Sequence, residues 1–127
     1  MVRRLSALLV FVFALTACGG GGGSDHEATC KPNGTSLAIT AANIAYTTDC
    51  LAAPANEAFT ITFENKDAGT PHNVDILTGM GGTSLFKGDL ITGINTTTYH
   101  VQALKAGTYH FHCDAHPDTM EGTFIVQ

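Results

Sequence analysis

The chain has 127 residues, which bounds it to one domain, and its six Lys and Arg against eleven acidic residues give a formal net charge of −5. Charged residues make up only 13% of it, and it has no basic cluster beyond Arg3-Arg4, so composition argues against a nucleic-acid partner. A mildly acidic surface instead suits a neutral or basic protein partner, chiefly by steering the encounter.

Met1-Val2-Arg3-Arg4 supplies a positive start, and Leu5 to Ala14 an uncharged apolar run. That run is far below the ~20 residues a bilayer-spanning helix needs, and it reads as a secretory signal over residues 1–17. Its end, Leu15-Thr16-Ala17-Cys18, resembles the bacterial lipobox, in which the cysteine is acylated and becomes the first mature residue. Gly19 to Gly23 and Ser24 then form a flexible linker that cannot fold alone. Residues 18–29 are therefore expected to be a lipidated tether holding a folded unit, residues 30–127, above a membrane. Gly19 stands where some Gram-negative bacteria carry an aspartate as an inner-membrane retention signal, which leans the anchor outward.

An exported domain sits in an oxidising compartment. With Cys18 taking lipid and Cys113 in a metal motif, Cys30 and Cys50 remain to form a disulfide. Closing that loop is worth about 3 kcal/mol in the chain-entropy model.

Beyond the linker the chain reads as short strands separated by turns. Leu37, Ile39 and Ala41 alternate with polar or small neighbours, and Ile44-Ala45-Tyr46 follows as a further strand. Phe59-Thr60-Ile61-Thr62-Phe63 has strict period two, the pattern of a strand with one buried face. Val74 to Leu77 is another short strand, and Gly79, Gly81 and Gly82 mark a loop. Thr97, Tyr99 and Val101 share one face. The turn at Lys105-Ala106-Gly107 is expected to close a hairpin with Tyr109, Phe111 and Cys113, setting His100 near His110. Gly122 to Val126 closes the unit. Seven or so such strands, with no internal repeat and no second domain, indicate an all-β sandwich.

Strand parity turns Tyr109, Phe111 and Cys113 inward, so the thiol projects from the end of a core strand. His100, His110 and His112 fall on the outward face, read as a solvated polar surface. Cys113-x2-His116-x3-Met120 follows, and His72 stands in Pro71-His72-Asn73. Two imidazoles, a thiolate and a thioether are the donors a blue-copper electron-transfer centre uses. Structural zinc prefers four strong ligands and is the weaker match.

With these residues in order, the chain resembles the cupredoxins, the plastocyanin, pseudoazurin and amicyanin group. The matching elements are the Phe59 to Asn65 strand, Pro71-His72-Asn73, Gly107 to Cys113, the Cys113–Met120 loop and Gly122-x-Phe124-x-Val126, together covering roughly residues 35 to 127. The resemblance implies a Greek-key β-sandwich holding one type 1 copper. His72, Cys113 and His116 would be its trigonal ligands and Met120 its weak axial ligand, with Asn73 tying the two ligand loops together. It further implies an electron carrier rather than an enzyme, exchanging with redox proteins through a partly exposed His116. The chain is expected to act as a monomer, with Gly79–Gly82 and Pro117 near the docking surface. An extracytoplasmic copper-delivery protein is the alternative reading. One departure stands out: amicyanin-like loops have two residues between His and Met, plastocyanin-like loops four, and this chain three. Copper binding survives that difference, but the strength of the Met120 bond and the potential are left open.

Overall fold

Period-two burial is the main organising force. In β3 (Phe59–Asn65) Phe59, Ile61, Phe63 and Asn65 are buried while the intervening Thr and Glu side chains face outward. The same alternation buries Leu37, Ile39 and Ala41 of β1 (Ser36–Ala41), and Tyr99 and Val101 of β8 (Asn95–Val101). These three strands form one sheet in the order β1-β3-β8, β1 running parallel to β3 and β8 antiparallel to it. The coordinates are a computed structural model that describes residues 28–127. The signal, Cys18 and most of the glycine tether lie outside the described residues.

The second sheet has five strands: β2 (Cys50–Ala53), β10 (Glu121–Val126), β9 (Gly107–His112), β5 (Asp75–Leu77) and β6 (Ser84–Lys87), in that order. A two-residue ladder between β4 (Pro71–His72) and β7 (Ile91–Thr92) closes one end of the sandwich. No helix occurs among the described residues. The fold is the all-β sandwich expected. Between the sheets Phe59 stacks on Phe124 at 5.4 Å between centroids, Phe63 on Tyr99 at 5.8 Å, and Phe111 packs against Tyr46 at 5.4 Å. The fully buried Phe63, Phe111 and Phe124 each contribute about 1.5–3 kcal/mol by leaving water. At the edge, Cys30 and Cys50 form the expected disulfide with their Cα atoms 6.0 Å apart, joining the entry segment to the start of β2.

Three expectations change. First, β8 and β9 are not a hairpin: β8 pairs with β3, and β9 with β10 and β5. Both strands bury their aromatic faces in the same core from opposite sides, so their outward faces point away from each other. His100 and His110 are therefore not neighbours. Second, Ile44 and Ala45 lie in a reverse turn rather than a strand, and Tyr46 leaves it in an isolated antiparallel bridge to Ala41. Asn43 and Ile44 both have φ 56°, and Ala42 and Ala45 exchange backbone hydrogen bonds across the turn. Third, β2, β6 and the β4-β7 pair were missed because they are short, and β2 is buried along most of its length and shows no alternation.

Candidate metal centre

The inward parity of β9 continues past its end: Tyr109 and Phe111 face the core, and Cys113 follows them at 0% exposure. The chain then folds back on itself. The His116 amide donates to the Cys113 carbonyl (3.0 Å), the Thr119 and Met120 amides both donate to the His116 carbonyl (3.3 and 2.9 Å), and the Cys113 amide donates to the Met120 carbonyl (2.9 Å). These consecutive turns absorb the three-residue spacer and bring Met120, fully buried, back beside the strand end. Pro117, between the donors, has no amide proton to satisfy.

His72 arrives from β4 in the short ladder with β7, and it too is completely buried. Its Nδ1 lies 3.6 Å from the Cys113 Sγ, and the His116 Nδ1 lies 3.9 Å from the same sulfur. All three donor atoms fall within 4.8 Å of one another, and the two imidazole centroids are 4.8 Å apart. His116 is the partly exposed member of the trio. The structure thus brings together every ligand candidate that the sequence singled out. Two Nδ1 atoms gathered beside a buried sulfur, with the buried Met120 in the same loop, suit a soft or borderline metal that accepts one weak ligand.

The His72 segment is braced from several sides. The His72 Nε2 lies 2.9 Å from the Asp67 Oδ2, so the Nε2–H tautomer donates there and leaves Nδ1 free. The Asn73 Nδ2 donates to the Gly88 carbonyl (2.8 Å) and to the Asp114 carboxylate (2.7 Å), and the Asp114 amide donates back to the Asn73 Oδ1 (3.0 Å). Asn73 therefore ties the His72 segment to the residue after Cys113. The Tyr46 hydroxyl donates to the Asn73 carbonyl while its ring lies on Phe111. Burial, reinforced by the neighbouring Cys113, holds that phenol protonated far above its ordinary range. Asp114 is held below the usual carboxylate range by hydrogen bonds from Asn73 and Lys87, which outweigh the burial that opposes them.

A second cluster, Asp75, His112 and Asp114, flanks the first. Its cation is already present: the Lys87 Nζ lies 3.2 Å from Asp75 and 2.9 Å from Asp114, and the Ser84 hydroxyl donates to Asp75. This is a closed ion-pair network. The outward face of β9 is likewise less open than its parity implied. His110 is only 9% exposed, 3.2 Å from Glu121, and shares a shallow depression with Met80, His112 and Pro117. His100, on the other sheet, is exposed. Sequence reading missed Asp67, Tyr46 and Lys87, since nothing marks a turn aspartate or a lone tyrosine as reaching a ligand loop.

A two-sheet sandwich that carries a sulfur-and-imidazole pocket at one end is a mononuclear metal-binding β-domain. The model of the cupredoxin-like domain matches residues 5–126, and the chain belongs to that family. Members of this family are blue copper electron carriers that bind one type 1 copper and work outside the cytoplasm. The chain is 35% identical over 68 residues to amicyanin of Paracoccus denitrificans, spanning 54% of this chain and about half (49%) of that relative. Its fold superposes on an auracyanin of Roseiflexus castenholzii with a TM-score of 0.65 at 22% identity, covering 73% of this chain and 97% of the other. A point mutant of amicyanin in its reduced Cu(I) form matches with a TM-score of 0.55 at 29% identity, covering 72% of this chain and 82% of the other.

Proposed function

We propose that this chain is a single-domain blue copper protein that carries one electron at a time between redox proteins outside the cytoplasm, tethered to a membrane by lipid on Cys18. His72, Cys113 and His116 would hold the copper, with the Met120 thioether as a further, weaker ligand. The observation that carries this reading is the approach of two Nδ1 atoms to the buried Cys113 sulfur, at 3.6 and 3.9 Å. When bound, the copper supplies a one-electron couple. The chain's own residues do the rest. Burial of His72, Cys113 and Met120 excludes water from the site. The closed 113–120 loop and the Asn73 bridge keep the donor positions fixed, so little has to move when the charge changes. Half-buried His116 is the route to solvent, where a partner docks. A saturated four-donor site leaves no position for a substrate, which argues for carriage rather than catalysis. The glycine linker after Cys18 raises the effective concentration of the domain at membrane partners.

Voltammetry of the copper-loaded protein tests this. Repeated one-electron reduction and reoxidation with copper retained is the expected result. Loss of copper to a chelator on each reduction would favour the alternative, extracytoplasmic copper delivery.

A further inference from the structure

Asp67 has no role in the ligand set, yet it is one of the most tightly held side chains around it. Its Oδ2 accepts from the His72 Nε2–H at 2.9 Å and from the Ile44 amide at 2.8 Å, while its Oδ1 accepts from the Asn43 amide at 2.6 Å. Asn43 and Ile44 reach these positions with φ 56° each, in the left-handed region. That is an outlier for a β-branched isoleucine. Two successive amides so placed form a concavity for an anion, and the ion inside it is the Asp67 carboxylate. From the other side, the fully buried Asn65 accepts the Asp67 amide at 2.9 Å and donates to the Thr70 and Ile91 carbonyls at 2.8 Å each. The carboxylate is thus fixed on a completely buried imidazole whose other nitrogen faces the Cys113 sulfur.

A staple for the 42–45 turn would need only the two amides. The bond to His72 puts a full negative charge one ring away from the metal position, where a neutral acceptor would contribute only a dipole. We infer that Asp67 is a positioning residue that sets the electron affinity of the copper through His72, favouring the doubly charged over the singly charged ion and holding the potential down. The inference rests on the copper assignment above. The physical reason is that hydrogen bonding to the carboxylate makes the imidazole a stronger donor, and nearby negative charge stabilises Cu(II) more than Cu(I).

The test uses the full copper-loaded chain and its Asp67→Asn variant, which keeps shape and removes charge. Loss of such a partner typically costs 10–100-fold in metal affinity. A tenfold loss confined to Cu(II) raises a one-electron potential by about 59 mV. The blue absorption should persist while the potential rises by at least that amount. Asn43→Gly, which relaxes the turn and keeps the charge, should leave the potential in place. A blue Asp67→Asn protein with an unchanged potential would overturn the inference and reduce Asp67 to a turn staple. Should that variant fail to fold, nitrogen-15 NMR of the wild-type Cu(I) protein decides: a slowly exchanging His72 Nε2–H supports the bond, and its absence overturns it. A wild-type chain with no blue copper would instead refute the copper reading itself, and this inference with it.

Discussion

Gly122 offers the sharpest test of how the core positions the site. A Cβ built there would lie 2.5 Å from the Asp49 carbonyl oxygen and 2.5 Å from the Phe111 Cζ. That is about 1 Å inside the 3.5–4.0 Å optimum for nonbonded carbons. Neither neighbour yields easily. The Asp49 carbonyl accepts the Thr123 amide at 2.8 Å, and Phe111 is fully buried against Tyr46 two residues before Cys113. Gly122→Ala must therefore displace the ring or the β2 entry, and overpacking of this kind costs about 1–3 kcal/mol. At about 4–8 °C per kcal/mol for a domain of this size, Tm should fall by roughly 5–20 °C. Combining it with Phe111→Leu should cost less than the sum of the two single changes, because the smaller side chain vacates the contested space. Chemical denaturation of the four proteins in the cycle measures this. A Gly122→Ala protein as stable as the parent, or strictly additive costs, would refute the packing argument.

Replacing Cys30 and Cys50 by serine opens a loop of sequence separation 20 and should cost about 3 kcal/mol by the chain-entropy estimate, read as a lower denaturation midpoint with a somewhat steeper slope, because the unfolded chain becomes more open. Asn73→Ala removes the bonds that tie the two ligand segments and strands buried partners, so it should destabilise the fold by about 2 kcal/mol or more and speed copper loss to a chelator. His110 gives a pH signature. Burial holds its folded imidazole below the ordinary value, against the opposing pull of Glu121 and with help from His112. The unfolded chain, titrating near about 6.5, then takes up more protons than the native state as pH falls from neutrality. Stability should therefore drop as pH passes down through that value, and the wild-type slope should exceed that of His110→Gln.

How much of this was legible in the sequence follows from range. Cys113, His116 and Met120 lie within one short loop, and strand parity alone turned Cys113 inward with Tyr109 and Phe111. The pattern of β3 was equally plain, because five residues of strict alternation report one buried face directly. What failed was long-range pairing. The turn at Lys105–Gly107 looks like a hairpin turn, but sheet membership is decided by which strands flank each other across the sandwich, and β9 found β10 and β5 instead. Asp67 was illegible for a similar reason. Its meaning depends on the left-handed backbone of Asn43 and Ile44, more than twenty residues away, and no local pattern encodes that meeting. His110 looked solvated because parity tells which side of a sheet a residue faces but not what covers that side.

The most direct test of the central claim is the visible absorption spectrum of the protein titrated with Cu(II), beside its Cys113→Ser variant. The account predicts an intense thiolate-to-copper band that saturates at one copper per chain, bleaches on reduction, returns on oxidation and is lost in Cys113→Ser. A colourless copper complex, or a band that survives the loss of the Cys113 sulfur, would contradict it.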